Sequence, residues 1–407
     1  FLGASLFEDF RSEIGYGSVC APGSVAALGE VHRHLGSMPW RDLLQPAIHI
    51  ARTGFQFMPT TPPSMLEDPG PYSPDTLTRI RATAECARLF LRDAGTVPDE
   101  GVTFRNPDYA STLERLAEAG ADDFYTGELA DAIADDLESN GSFVTRDDLR
   151  SYRTSVNSPT LAVYRDALFY SNMPPGGGPL LVEALNVLDG LDLQALEHGG
   201  ADHLAYLAST LQLVNQDRRA YLGDPDHTGH TNLLTLSSKA RAATLREAVV
   251  AGVVGRELPP AESPDTTHLT VVDGDGNIAC ITHSNGAHSG VVTPGLGFVY
   301  NNGMNRFDPR PGHPSSLAPG KARLHMMMPT LVLKDGRPAM ALGAPGGNAI
   351  LSALVQSASN VLDFGMSAVE AVSATRIHAE GSTIWCEARV RGHVVAELEA
   401  RGFTVVQ

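Results

Sequence analysis

A change in sequence pattern at residue 266 most constrains what this 407-residue chain can fold into. Beyond it, apolar and polar residues alternate on both sides of the short turns DGDGN (273–277) and KDGR (334–337), which is typical of β-hairpins. Ahead of it, the spacing of apolar residues is mainly helical. Helices, then hairpins, then further helices predict an α+β fold in which stacked sheets are covered by helices.

Periodicity and capping residues predict the individual elements. Gly54 is a candidate helix C-cap, and Thr145 with Asp148 resembles a helix N-cap. A short strand is predicted over 297–304, and the proline- and charge-rich segment 255–265 is predicted to be an exposed loop. The predicted helices span 38–54, 109–141 with a break near Gly120, 145–152, an amphipathic 201–222, 350–362 and 367–376.

Charge and composition exclude several classes of function. The formal net charge of -17, with no cluster of lysine and arginine, argues against nucleic-acid binding. No apolar run approaches the roughly 18 residues that a membrane span needs. The chain starts at Phe1 rather than at a methionine, so its sequence leaves localisation open between cytoplasm and a secreted or periplasmic site. Four widely spaced cysteines indicate buried thiols and not a disulfide framework: Cys20, Cys86, Cys280 and Cys386.

Two glycine-rich loops and a histidine cluster are the conspicuous local motifs. The loops MPPGGGP (173–179) and GAPGGN (343–348) lack the residues of a phosphate loop and the G-x-G-x-x-G spacing. Both are compatible with tight turns, but the second follows a strand and precedes a helix, so its amides could form an oxyanion hole. DPDHTGH (224–230) is interpreted as a surface turn and not as a metal site. No cofactor and no metal are predicted.

Thr266 opens the first hairpin, and two interpretations of it stay open. A Thr-Thr pair at a strand entrance commonly reflects β-propensity alone. The chemical alternative is a chain cut before Thr266, which turns its α-amine into the base for its own hydroxyl. The reference pKa of an α-amine, about 7.7–8.0, leaves a useful neutral fraction at pH 7. No G-x-S-x-G motif and no signature of a cysteine nucleophile compete with this alternative.

The segment TTHLTVVDGDGN (266–277) resembles the start of the small subunit of the γ-glutamyltransferases, which are N-terminal-nucleophile hydrolases. The resemblance implies an αββα sandwich and a proenzyme that cleaves itself before Thr266. It further implies a heterodimer of a large part, 1–265, and a small part, 266–407, which together make one structural unit without the family's extreme N-terminal portion and C-terminal strand. Segments matching in the same order are 21–27, 43–55, 124–130, 163–178, 217–226, 299–307, 328–336 and 343–348.

The resemblance also assigns catalytic roles to residues of this chain. Thr266 is implied as the nucleophile, with its own amine as the base. Ser284 stands where the family has a hydroxyl that supports the nucleophile. Gly346 and Gly347 match the pair whose backbone amides bind the oxyanion.

The positions that would contact the substrate depart from the family pattern. Gly303 and Arg306 replace a glutamine and an acid, and His325 and Met326 replace two serines. Asn285 is aligned with a substrate-contacting asparagine. Without the acid, a substrate ammonium has no partner, whereas a cation at 306 favours a carboxylate.

These substitutions predict a small-molecule amide substrate with an acyl group other than γ-glutamyl, one that ends in a carboxylate. The alternative at position 306 is an arginine that points to solvent and pairs with Asp308. The alternatives for the whole protein are an ordinary γ-glutamyltransferase or glutathione hydrolase, and an unprocessed relative with a binding role.

Overall fold

Helices dominate one of the two units into which the chain divides, the unit made of Gly3–Val156 and Ser284–Asn305. The computed structural model describes residues 10–66, 73–92, 95–255 and 265–407. The predicted loop at 255–265 therefore lies almost wholly outside the described residues. The elements of this unit are α1 (Ser24–Leu35), α2 (Trp40–Thr53), β1 (Phe55–Gln56), α3 (Thr61–Met65), α4 (Thr76–Ile80), α5 (Ala84–Phe90), β2 (Thr103–Phe104), α6 (Pro107–Ala119), α7 (Asp123–Thr126), α8 (Glu128–Ser139) and α9 (Arg146–Ser151).

The second unit, Asn157–His283 with Arg306–Gln407, contains the larger sheets. Its first half has β3 (Thr160–Tyr164), β4 (Ala167–Ser171), α10 (Gly178–Leu188), α11 (Ala201–Tyr221), α12 (Pro225–Thr228), α13 (Thr231–Leu236) and α14 (Lys239–Val250). Its second half has β5 (Asp265–Val272), β6 (Ile278–Gly286), β7 (Thr330–Lys334), β8 (Arg337–Leu342), α15 (Ala349–Leu362), α16 (Ala368–Ser373), β9 (Ile377–Glu380), β10 (Thr383–Cys386), α17 (Gly392–Ala400) and β11 (Thr404–Val406). The last three residues of β6 belong to the helical unit.

Both predicted hairpins are present, and they stack on each other. The main sheet has the antiparallel order β3-β4-β7-β8, and β5 pairs with β6 in a separate sheet. Asp335 and Gly336 turn the β7–β8 hairpin with φ values of 52° and 71°, as the mirror-image turns of hairpins require. The Cys280 thiol of β6 lies 3.5 Å from the Leu342 carbonyl of β8, so the β5–β6 pair covers the β7–β8 edge of the main sheet.

Helices pack on the main sheet and fill the core of the second unit. Leu180, Leu185 and Leu188 of α10 are fully buried with Phe169 and Val332 of the sheet. β9, β10 and β11 form a separate three-stranded sheet. Within the described ranges, none of the helices combines the length and apolar character that a membrane crossing requires.

Several predicted helices are confirmed, with their caps. Thr145 and Asp148 form a capping box at the start of α9, and Gly54 ends α2 with a φ of 86°. The break predicted near Gly120 separates α6 from the short α7. The four cysteines all lie in described ranges and form no disulfide; Cys86 and Cys386 are buried and the other two are half-buried.

The predicted strand over 297–304 is wrong. Tyr300 makes only isolated backbone hydrogen bonds, accepting from Ser289 at 2.9 Å and donating to Val291 at 3.0 Å. Gly295 and Gly297 adopt φ values of 80° and 71°, which an extended ladder does not tolerate. The segment ends in a 3₁₀ turn over Gly303–Arg306.

The helix α11 exists but is not amphipathic. Its polar residues Thr210, Gln212, Asn215 and Arg218 are all at most 1% exposed, and its leucines are at most 8% exposed. A helix enclosed on all sides loses the polar stripe that marks a surface helix.

Glu183 of α10 gives the second unit a pH-dependent stability. The side chain is fully buried beside Asp217, and burial followed by the negative charge of Asp217 raises the pKa of the Glu183 carboxyl well above its ordinary value. The protonated Glu183 carboxyl contributes fully to the free energy of unfolding below the unfolded-state pKa. This contribution is lost as the pH rises through the folded-state pKa. We therefore expect the unfolding free energy of the wild type to fall between pH 5 and pH 8, and we expect a smaller fall in Glu183→Gln. Urea titrations at both pH values test this, and Glu247→Gln on the surface of α14 should leave the fall unchanged.

Candidate active site

Thr266 is the second residue of β5, at the entrance of the β5–β6 hairpin. Its side chain and that of His268 lie on the same side of the strand and are half-buried, whereas Thr267 lies on the other side and is exposed. The far end of the hairpin is closed by Asp273, whose carboxylate accepts from the backbone N–H of Asn277 at 2.8 Å. The pairing of β5 with β6 therefore fixes the side of the strand on which the Thr266 side chain lies.

His268 connects β5 to the loop 343–348. Its Nδ1 is 2.8 Å from the Thr282 hydroxyl and its Nε2 is 3.0 Å from the Thr270 hydroxyl. The imidazole lies against Gly343, where any Cβ would overlap the ring. Burial lowers the pKa of His268, which favours the neutral form of the ring. The strand β5 and the start of the glycine loop are therefore in contact through this ring.

The glycine pair of the loop has a backbone compatible with its predicted role as an oxyanion hole. Gly346 and Gly347 have φ values of 122° and 55°, which residues with a Cβ rarely adopt. Among the described residues, no acceptor is hydrogen-bonded to the backbone N–H of either glycine. Gly346 is half-buried and Gly347 is buried, and since buried N–H groups are nearly always paired, the Gly347 N–H in particular is a donor available to a ligand oxygen.

The orientation of the peptide groups agrees with this function. The Gly346 carbonyl accepts from the Ala349 N–H at 2.9 Å, and the Gly347 carbonyl accepts from the Ile350 N–H at 3.3 Å. Because the C=O and N–H of a trans peptide point in opposite directions, the N–H of Gly347 points away from α15. The positive end of the dipole of this 14-residue helix lies behind the loop and favours negative charge there.

A buried polar cluster lies directly after the glycine pair. Asn348 Oδ1 accepts from Arg218 Nη1 at 2.6 Å, and its Nδ2 donates to Glu380 Oε2 at 3.1 Å. Arg218 Nη2 donates to Glu380 Oε1 at 2.6 Å, and Arg219 donates to the same oxygen at 2.5 Å. The cluster joins α11, the glycine loop and the end of β9.

Arg306 is buried but not paired with a carboxylate. It is 8% exposed, and among the described residues its guanidinium makes no hydrogen bond or ion pair. Asp308 pairs instead with Arg310, at 2.6 Å, so the alternative of a surface Arg306–Asp308 pair is wrong. Burial, the charge of Arg219 and the charge of Arg306, in that order, lower the pKa of Arg218. The guanidinium groups of Arg306 and Arg218 are therefore close enough to interact electrostatically.

Of the other predicted substrate contacts of this unit, Met326 is buried and His325 is half-buried. His325 packs against Gly176 of the first glycine-rich loop, and burial lowers the pKa of His325 to about 3. Its buried Nδ1 has no hydrogen-bond partner among the described residues. Met326 is 6% exposed and belongs to the hydrophobic core. Their roles as substrate contacts stay predictions.

Three predicted site residues belong to the helical unit. The Ser284 hydroxyl accepts a backbone N–H two residues further on, at 3.0 Å. Asn285 donates from its side chain to the Val299 carbonyl at 3.4 Å, and the Gly303 N–H donates to Asn301 Oδ1 at 2.8 Å. Their catalytic and binding roles likewise stay predictions.

The segment 224–230 has a local structural role. Asp224 accepts from the Asp226 N–H at 3.1 Å, capping α12, and from the Ala322 N–H at 2.7 Å. His227 lies 3.3 Å from the same carboxylate. In the part of the chain that the structure describes, no three potential ligands gather as a metal ion requires.

Sequence reasoning missed the Asn348–Arg218–Glu380 cluster. These residues come from three distant segments, so spacing along the chain could not reveal them. No local signal could have found them, because Arg218 lies in the polar stretch NQDRR (215–219), which does not indicate a buried side chain.

The family model for gamma-glutamyltranspeptidase matches residues 3–407. The chain belongs to the gamma-glutamyltranspeptidase family. It is an enzyme of this family, with the N-terminal-nucleophile hydrolase fold, so the predicted family and the predicted αββα class of α+β fold are confirmed.

Relatives of the family fall under two kinds of name. The chain is 33% identical to the acylase ACY 1 proenzyme of Pseudomonas sp. (strain SE83), over 98% of this chain and 71% of that protein. It is 31% identical to the glutathione hydrolase proenzyme of Escherichia coli (strain K12), over 88% of this chain and 63% of that protein. The crystal structure of cephalosporin acylase from Bacillus halodurans matches with a TM-score of 0.87 and 27% identity, over 97% of this chain and 72% of that chain.

Proposed function

We propose that the protein is a self-processing threonine amidase. It cuts its own chain between Asp265 and Thr266, and the products, 1–265 and 266–407, form a heterodimer. Two observations support this: the position of Thr266 at the start of β5, and similarity to proteins that are named proenzymes. Cleavage exposes the α-amine that activates the Thr266 hydroxyl.

The proposed reaction passes through an acyl-enzyme. The Thr266 oxygen attacks the amide carbonyl carbon while the α-amine takes the hydroxyl proton. The N–H groups of Gly346 and Gly347 stabilise the resulting oxyanion, and the amine product leaves with the proton as the C–N bond breaks. Water or a second amine then attacks the ester, which releases the acyl group and restores the threonine hydroxyl.

Arg306 carries the proposal about the acyl group. A nearly buried guanidinium without a counter-charge among the described residues is costly, and a bound carboxylate relieves that cost. A substrate ammonium would instead add a cation beside Arg306 and near Arg218 and Arg219, the two arginines that pair with the carboxylate of Glu380. The proposed acyl donor is therefore a dicarboxylic monoamide without an α-amino group, such as a glutaryl amide.

Reversing the charge at position 306 should change the substrate preference. We expect the wild type to prefer glutaryl-p-nitroanilide over γ-glutamyl-p-nitroanilide. Arg306→Asp should lower kcat/KM for the glutaryl compound by about 10- to 100-fold, the effect of losing one charge-assisted hydrogen bond. The same variant should improve turnover of the γ-glutamyl compound, because its ammonium gains a partner.

Arg310→Asp is the matched control, since it makes the same charge change at an exposed arginine four residues along the chain. It should leave the ratio of the two kcat/KM values unchanged. A wild type that prefers the γ-glutamyl compound, with a ratio insensitive to Arg306→Asp, would identify an ordinary γ-glutamyltransferase.

A further inference from the structure

Asn348 occupies a helix-capping position without capping the helix. It is the N-cap residue of α15, and asparagine is among the best side chains for accepting the first N–H groups of a helix. The Asn348 side chain makes no such bond. Both ends of its amide are used on Arg218 and Glu380 instead, so this residue gives up local helix stabilisation for a distant contact.

The three side chains form a closed ring of hydrogen bonds. Arg218, Asn348 and Glu380 are 1%, 4% and 3% exposed, and each is hydrogen-bonded to the other two. Arg218 comes from the long buried helix α11, and Glu380 from the end of β9. Two elements of the core thus hold one residue of the loop.

Charge strengthens the hydrogen bonds of this ring. Burial alone would raise the pKa of the Glu380 carboxyl, but Arg218, His378 and Arg219 hold it well below its ordinary value. Glu380 is therefore ionised, and hydrogen bonds between charged groups are shorter and stronger than neutral ones. Buried charges keep such partners because separation from them leaves an uncompensated charge.

The position of Asn348 directly after the glycine pair indicates that the ring does more than stabilise the fold. Glycines have no side chain through which the fold could hold the peptides of Gly346 and Gly347, and their backbone is intrinsically free. Asn348 is the first residue after the pair that has a side chain. We infer that Arg218 and Glu380 are positioning residues, which act through Asn348 to aim the N–H groups of the glycine pair at the substrate oxyanion. This inference rests on the proposed function.

The test compares Asn348→Ala with a matched control in the same two elements. Gln356→Ala on α15 removes hydrogen bonds of 2.7 Å to the Ile377 carbonyl and 3.0 Å from the Ile377 N–H, which link α15 to β9 away from the loop. The assay uses glutaryl-p-nitroanilide or γ-glutamyl-p-nitroanilide, whichever the wild type turns over. We expect Asn348→Ala to lower kcat by about 10- to 100-fold with KM within about threefold, since misaimed donors weaken only the transition state.

Arg218→Lys is the second variant, and it decides the question if Asn348→Ala does not fold. Lysine keeps the positive charge but lacks the two guanidinium nitrogens that donate to Asn348 and Glu380. We therefore expect kcat to fall in Arg218→Lys and to stay at the wild-type value in Gln356→Ala. Wild-type kcat in both ring variants, or an equal fall in Gln356→Ala, would overturn the positioning role. If the proposed function itself is wrong, Thr266→Ala should retain turnover, and this result distinguishes that failure from a failure of the positioning role.

Discussion

The Thr266→Ala variant is expected to remain one uncut chain and to hydrolyse no amide. Under the proposed mechanism the Thr266 hydroxyl attacks the Asp265 carbonyl to start processing, and later it attacks the substrate. Alanine supplies no nucleophile for either step. The neighbouring His268 is not expected to replace it, because its two ring nitrogens are engaged with the Thr282 and Thr270 hydroxyls.

Denaturing gels and amino-terminal sequencing measure the first consequence, and turnover of the anilides measures the second. The wild type should give two bands, with the smaller product starting at Thr266. Thr267→Ala is the control, because Thr267 is the exposed neighbour on the opposite side of β5 and its loss should not prevent the cut. Splitting of the 265–266 bond in Thr266→Ala would show that a different group performs the cleavage.

The sequence predicted those parts of the fold whose signals are local. The β5–β6 and β7–β8 hairpins have alternating residues and Asp-Gly turns, and the capping box of α9 lies within four residues. The β3–β4 hairpin was missed because Arg165, a non-glycine residue with a φ of 55°, stands in its turn. Its conformation depends on distant partners, since its guanidinium bonds Asp363 at 2.6 Å and the Leu191 carbonyl at 2.9 Å. No local pattern encodes such contacts.

The same distinction applies to the candidate site. Thr266 and the glycine pair could be found because each lies in a short, recognisable motif. Arg306 could be singled out as a departure from the family pattern, but only the structure shows that Asp308 is paired with Arg310. The ring around Asn348 could not be predicted, because its members are separated by 130 residues or more on one side and 32 on the other.

Gly347→Val is expected to lower kcat by about 10²–10³-fold while the protein stays folded, the usual cost of losing one oxyanion donor. Gly347 has a φ of 55°, and a β-branched residue there costs roughly 1–2 kcal/mol. The loop relieves that strain by rotating the peptide, and rotation turns the N–H away from the oxyanion. Binding of the substrate in its ground state depends on other groups, so KM should change little.

Gly365 provides a control that separates the effect of backbone strain from the loss of an oxyanion donor. Gly365 follows the opposite end of α15, has a φ of 67°, and has open space where a side chain would begin, with no atom within 4 Å of an added Cβ. Gly365→Val therefore introduces the same kind of backbone strain about 20 Å away along the helix. Both variants should lose similar unfolding free energy in urea, and only Gly347→Val should lose kcat. Equal kcat values in the two variants would remove the glycine pair from the oxyanion hole and leave the N–H groups of the loop without a catalytic role.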